Sequence, residues 1–337
     1  MTTPTSGSLQ AMDNGQILVL SDFSPMMIDK PVTTNQSEAS ALLISPTAIR
    51  GRVFSSGIGE ACALAFAKYG VRHLVVADIN IEAARAVSDA CKSAATHEAF
   101  LTSGIFIDVT SESSVREAVK HVAQGSGRID YFVNAAGVSF YSTCIYAVSL
   151  ADRWPNFVKV GVRTAAEVAE ASIDEFDKML SVNVTGTFLL TRMVSAAMKS
   201  QDPVAIKPES PGRGLTRGCI VIIGSASAFT ATPNMIQYTT SKHAVLGLTK
   251  SAALDNAAHG IRVNSVCPSW VDTPMVRKAI EDVPELAKTI ENAVPMGRIA
   301  LAEEVADAVM FLCSSMSSYA TGCNLILDGG TTLSATT

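Results

Sequence analysis

A single doubly wound α/β sheet, parallel and covered by helices on both faces, is the architecture this sequence predicts. Three observations carry it. From residue 59 onward, helix-period and strand-period segments alternate, which builds a parallel sheet between helical layers. The strand segments are short continuous apolar runs such as 73–77 (HLVVA) and 219–223 (CIVII), as expected of strands buried on both faces. No Gly/Pro-rich linker divides the chain, so its 337 residues, enough for two domains at about 150 each, are assigned to one. Residues 51–337 form that domain, with 1–50 as an extension and 139–163 as an insertion.

The elements follow in order. Residues 1–50 are rich in Ser, Thr and Pro and hold only brief apolar islands at 17–20 and 41–44, with no sustained period of 2 or 3.6. A helix at 60–69 ends at Gly70, and a strand at 73–77 closes on Asp78. A helix at 81–93, a strand at 104–108, a helix at 111–124 and a strand at 129–134 come next. Residues 172–199 read as one long helix opened by a capping box, because Ser172 and Glu175 can each satisfy a free amide of the first turn. A buried strand at 219–223, a helix at 235–259 stopped by Gly260 and a strand at 262–267 continue the series. Leu301, Val305, Ala308, Val309 and Leu312 share one helix face, and 324–327 is the last strand.

Composition excludes several classes of function. With 48% apolar and 17% charged residues, the chain is neither disordered nor a coiled coil. Twenty-six Lys+Arg against 31 Asp+Glu give a net charge of −5, without the basic footprint of a nucleic-acid partner. The 7 cysteines are odd in number and never spaced CxxC, so they read as buried thiols of a reducing compartment; the 5 histidines lack HExxH spacing, and no metal is expected. No apolar run reaches the roughly 20 residues of a membrane span, and the first residues resemble neither a secretory signal nor a transit peptide, so a cytoplasmic protein is expected.

Two sets of residues carry chemistry. Gly57-Ile58-Gly59 stands immediately before a helix, where glycine lets backbone amides approach a pyrophosphate at the positive helix end. Asp78 lies 19 residues past Gly59 at the end of the next strand, the place from which a carboxylate accepts hydrogen bonds from the adenosine ribose of a dinucleotide. The same charge repels a 2′-phosphate, so NAD is expected ahead of NADP. Further on, Tyr238 and Lys242 are four apart in a helix and share a face, and Ser225 stands 13 residues before Tyr238, just past a strand.

Taken in order, Gly57-Ile58-Gly59, Asp78, Asp108, Asn134-Ala135-Ala136-Gly137, Asn183, Ser225, Tyr238 and Lys242 resemble the short-chain dehydrogenase/reductase family over 51–330. The resemblance implies a Rossmann-like sheet and a catalytic set of Asn183, Ser225, Tyr238 and Lys242. It places Asp108 and Val109 beside the adenine, Asn134, Ala135 and Gly137 near the cofactor, and Val271 and Thr273, within PSWVDTP, beside the nicotinamide. Asp328-Gly329-Gly330 resembles the family's C-terminal ending. It also points to a homodimer or homotetramer, for which the small residues Ala244, Gly247, Ala252 and Ala253 would allow close helix packing.

The chemistry of such a set is simple to state. Reducing a ketone needs a hydride at carbon and a proton at oxygen, and a phenol gives that proton reversibly only if its pKa falls from about 10. Lys242 supplies the nearby positive charge that lowers it. Ser225 would donate to the oxygen where negative charge develops, and Asn183 would hold a water linking Lys242 to solvent. The expected activity is therefore NAD(P)-dependent interconversion of a secondary alcohol and a ketone. The expected pocket walls are 138–140, 227–233 and 269–296, and Ala226, Ala228, Phe229, Met235 and Met275, in or next to them, suggest an apolar, uncharged substrate.

Three departures from the family pattern stand out. Counting back from Gly57, Arg52 and Val53 occupy the places of a Thr and a Gly, and Pro46 and Arg50 interrupt the stretch where a first strand belongs. The segment 139–163 is longer than the usual connection, and Ser269 replaces a glycine. Translated intron or alternative-exon sequence up to about residue 52 and in part of 139–163 would explain the first two, as would a real arm and lid. An altered phosphate loop leaves a second reading open, a catalytically weak dinucleotide-binding or scaffold protein.

Overall fold

The computed structural model describes residues 40–44, 57–137, 167–282 and 284–333. In chain order, β1 (Ser40–Ile44), α1 (Ile58–Lys68), β2 (His73–Asp78), α2 (Ile81–Ala94), β3 (Leu101–Phe106), α3 (Glu112–Ser126) and β4 (Tyr131–Asn134) make the first half. The second half holds α4 (Ile173–Leu180), a π turn (Ser181–Gly186), α5 (Thr187–Ser200), the short β5 (Val204–Ala205) and β6 (Leu215–Thr216), β7 (Gly218–Ile223) and α6 (Ile236–Ala257). It ends with β8 (Ile261–Pro268), β9 (Val271–Asp272), α7 (Pro274–Asp282), α8 (Glu285–Ala293), β10 (Ala300–Leu301), α9 (Ala302–Cys313) and β11 (Asn324–Leu327).

Seven strands form one sheet in the order β11-β8-β7-β4-β1-β2-β3, and every pairing is parallel. Because successive side chains point to opposite faces, each strand feeds two cores. Ala41, Leu74, Val76, Val133 and Val221 pack with Phe66 of α1 and Val305 of α9. Leu42, Val75, Phe132, Ile220 and Ile222 pack with Val115 of α3, Leu190 of α5 and Val245 of α6. Burial on both faces is why these strands read as unbroken apolar runs.

The structure moves several boundaries. The central strand β1 lies at 40–44, inside the stretch that composition assigned to an extension, and pairs Leu42 with Val75 on one side and Phe132 on the other. Ser40, Ala41 and Leu42 are all buried, so the strand shows no alternation there and period alone cannot find it. The stretch 1–52 therefore contains sequence that the fold requires. The strand expected at 104–108 sits at 101–106, on the sheet edge, where both its ends, Leu101 and Phe106, are exposed. The long helix expected over 172–199 is α4 and α5 separated by the π turn, with Ser172 capping α4 by accepting the Glu175 amide. Among the described cysteines, five are buried, but Cys323 is exposed beside the edge strand β11. Cys144, Arg52, Val53 and all of 139–163 lie outside the described residues.

A smaller core of Leu286, Ile290 and Val294 gathers Trp270, Val276, Ile280 and Ile299 around α7 and α8. The Asp328 carboxylate closes the C-terminal turn by accepting the amides of Gly330 and Thr332 at 2.9 and 2.6 Å. Among the described residues, no helix is long and apolar enough to cross a membrane.

Candidate active site

The chain leaves β1 toward β2 and β3 on one side and later crosses to β4 on the other, so the sheet changes winding direction between β1 and β4. The crevice outside the carboxyl ends of such strands is where open α/β sheets bind ligands. Asp78 and Asn134 are the last residues of β2 and β4, Asp108 and Val109 follow β3, Ser225 follows β7, and Val271 and Thr273 follow β8. Topology thus brings residues far apart in sequence to one end of the sheet.

Gly57 caps the N-terminus of α1 with φ 97°, a left-handed conformation that costs a glycine nothing. A Cβ built there would stand 3.0 Å from the Thr273 methyl, so the turn before α1 and the segment after β9 approach closely only because position 57 is glycine. Ile58 and Gly59 begin the helix, and the amides of this first turn, which have no acceptor within the helix, lie at the crevice end of the sheet.

Asp78 is fully buried and its Oδ1 accepts the Asn80 amide at 2.7 Å. Burial pushes its carboxyl up to about 6, only partly offset by that amide. Asp108 is held by bonds from the Thr110 amide and hydroxyl, while Val109 lies against Gly186 of the π turn, where a Cβ would be 2.9 Å from its Cγ2.

On the other side of the crevice, the Ser227 amide donates to Ser225 Oγ at 3.1 Å, which leaves the hydroxyl hydrogen of this buried serine to donate elsewhere. Lys242 is buried, donates to the Ile223 carbonyl at 3.3 Å and lies 5.5 Å from the centroid of the Tyr238 ring. A Cβ on Gly137 would be 3.5 Å from Asn183 Oδ1 and 3.6 Å from Lys242 Nζ, so both groups converge over the chain just past β4. Ala135 is buried beneath that turn, and the Ala136 amide donates to Asn134 Oδ1 at 3.0 Å. Val271 is buried in the β9–β10 pair.

Sequence reasoning missed three residues here: Gly186, Thr187 and Ser241. The signal was present, since Thr187 is four past Asn183 and Ser241 three past Tyr238, spacings that stack side chains on one helix face. Beside the start of α6 a cavity of about 440 Å³ is lined by Val168, Ala231, Thr232, Ile236 and Thr239 among others. It overlaps only part of the wall expected at 227–233, and 138–140 lie outside the described residues.

Comparison with known proteins adds an independent line. A family model described as enoyl-(acyl carrier protein) reductase matches residues 51–332. The chain is 61% identical over 281 residues to the short-chain dehydrogenase srdC of Neurospora crassa, covering 83% of this chain and 95% of that protein. It is also 61% identical over 284 residues to the short-chain dehydrogenase RED2 of Pyricularia oryzae, covering 83% and 94%. Among solved structures, a short-chain type dehydrogenase/reductase from Mycobacterium marinum superposes with a TM-score of 0.68 at 28% identity, covering 89% of this chain and 97% of that one. A seven-stranded Rossmann sheet, a family match over most of the chain and relatives of this identity lead to one conclusion: the chain is an oxidoreductase of the short-chain dehydrogenase/reductase family, whose members bind an NAD(P) dinucleotide.

Proposed function

We propose that this oxidoreductase interconverts a secondary alcohol and a ketone with NAD in preference to NADP, using Tyr238 as its general acid/base. The observation that carries the reading is the convergence of Lys242 and Asn183 beside Gly137, with the Tyr238 ring centroid 5.5 Å from Lys242 Nζ and Ser225 at the end of the adjacent strand. The crevice fits a dinucleotide: Gly57 begins α1 without a Cβ, and Asp78 stands at the end of β2, where it would accept from ribose hydroxyls. When bound, the nicotinamide supplies or accepts the hydride.

The remaining work falls to the chain. Gly57, Ile58 and Gly59 hold the pyrophosphate, Asp108 and Val109 flank the adenine, and Asn134, Ala135, Gly137, Val271 and Thr273 shape the nicotinamide end. Lys242 positions the nicotinamide ribose and places a positive charge beside the Tyr238 ring. The Tyr238 hydroxyl gives its proton to the carbonyl oxygen, and Ser225 donates to the same oxygen as negative charge develops there. Asn183 holds a water that returns the proton from solvent. The substrate is taken to be apolar: Val168, Ala231 and Ile236 line the cavity beside the start of α6, with Glu167 and Thr232, Asn234, Thr239 and Thr240 as its polar groups. A homodimer or homotetramer is part of the same proposal, because Gly247 on α6 is exposed with open space where a Cβ would stand, and Leu254 is 80% exposed. Ala253, by contrast, is used up in the protein's own core.

Calorimetric titration with NADH and NADPH, followed by NADH oxidation across a panel of apolar ketones, tests the proposal. NADH binds more tightly than NADPH, and Tyr238→Phe keeps NADH affinity while losing about 100-fold or more in turnover, the scale of one acid/base catalyst. Undiminished turnover by Tyr238→Phe would overturn the assignment.

A further inference from the structure

Resting on the site reading above, we propose that Thr187 and Ser241 are positioning residues. Through a buried string of hydrogen bonds they lock Asn183 and the first turn of α6, and so set where Lys242 meets the nicotinamide half of the cofactor. The Asn134 amide donates to Thr187 Oγ1 at 3.0 Å, and that hydroxyl donates onward to the Asn183 carbonyl at 2.8 Å. Asn183 Nδ2 donates to Ser241 Oγ at 3.1 Å, and Ser241 in turn donates to the Tyr238 carbonyl at 2.8 Å. Each hydroxyl uses its one hydrogen and one lone pair, so the sense of every bond is fixed. Asn134, Asn183, Thr187 and Ser241 are each no more than 2% exposed, so a partner stripped of its bond finds no water to replace it.

The location explains why the string is needed. Asn183 lies inside the π turn, where the regular α-helical ladder between α4 and α5 is interrupted. There the Thr187 hydroxyl donates to its carbonyl. The Asn183 amide also donates to Met179 Sδ at 3.1 Å, which leaves Oδ1 turned toward Gly137 and the same small space as Lys242 Nζ. Ser241 neighbours Lys242 in the chain and holds the carbonyl of Tyr238, so it ties the turn that carries both side chains to the π turn. Other buried hydroxyls on α6 do nothing comparable: Thr249 Oγ1 donates only to the Val245 carbonyl of its own helix, at 2.8 Å.

Titration of the full-length protein with NADH and, separately, with ADP distinguishes positioning from plain structure, because ADP lacks the nicotinamide half. Thr187→Val, which keeps shape but not the hydroxyl, and Ser241→Ala are expected to lose about fivefold or more in NADH affinity, the scale of one hydrogen bond, with ADP affinity unchanged. Thr187→Ser restores NADH affinity, and Thr249→Val changes neither affinity even if it melts lower. Equal losses for NADH and ADP, or no loss, overturn the proposal. Lys242→Ala separates this failure from that of the cofactor reading. If it keeps full NADH affinity, the cofactor reading falls; if it alone loses affinity, only the positioning role falls. Should the wild type bind no NADH, melting temperatures of the apo protein decide. Connected sites lower the melting temperature of the Thr187→Val/Ser241→Ala double variant by less than the sum of the single losses, whereas additive losses overturn the string.

Discussion

At the scale of single residues, Asp78 carries the clearest pH signature. Its carboxyl is raised to about 6 by burial, whereas the same group in an unfolded chain sits near its ordinary 3.8. A raised acid favours the folded apo protein fully only below its unfolded value, and this contribution is lost as pH rises through about 6. Ribose hydroxyls donating to the carboxylate reverse the preference by stabilising the anion. NADH should therefore bind more tightly as pH rises from 5 to 7, with uptake of ligand accompanied by release of a proton. Asp78→Asn should flatten that dependence and narrow the gap between NADH and NADPH. Calorimetry in buffers of different ionisation enthalpy measures both effects; a wild-type affinity that is flat between pH 5 and 7 would refute them. The position of Asp78 was legible from its spacing to Gly59, but its burial was not. Spacing locates the residue at a strand end, and only the packing of β1 and β3 on either side removes water from it.

At the scale of elements, β1 shows how a short central strand escapes sequence reading. Its five residues carry Leu42, fully buried between β2 and β4 and packed in the core beneath α3 and α5. Leu42→Ala should cost about 2–5 kcal/mol, the range for a buried leucine whose cavity does not collapse. Urea denaturation followed by circular dichroism checks this, and a loss under about 1 kcal/mol would argue against 40–44 as the central strand. The π turn is the converse case. The sequence pattern of 172–199 is continuously helical, and the interruption at 181–186 follows from contacts that no local propensity encodes, among them Gly186 against Val109 and Thr187 against Asn134.

At the scale of the whole molecule, α6 presents Leu254, 80% exposed, seven residues and so about two turns along one face from the exposed Gly247, and α5 presents Phe188, 51% exposed. If two copies bury this face, Leu254→Arg should shift a dimer or tetramer toward a smaller species in light scattering coupled to gel filtration; an unchanged mass would place the contact elsewhere. The sequence by itself determined the fold class and the helices α1, α2, α3, α6 and α9, because buried parallel strands demand apolar runs and amphipathic helices carry their own period, and it placed Tyr238 and Lys242 on one helix face; α7 and α8 carried no such mark, and the wider candidate site was named through a family resemblance. Only the tertiary structure decided which apolar island is the central strand, where the long helix breaks, and which hydroxyls tie Asn183 to Tyr238. These depend on partners dozens of residues away, and an isolated pentapeptide or a lone serine carries no mark of the neighbour that folding will bring to it.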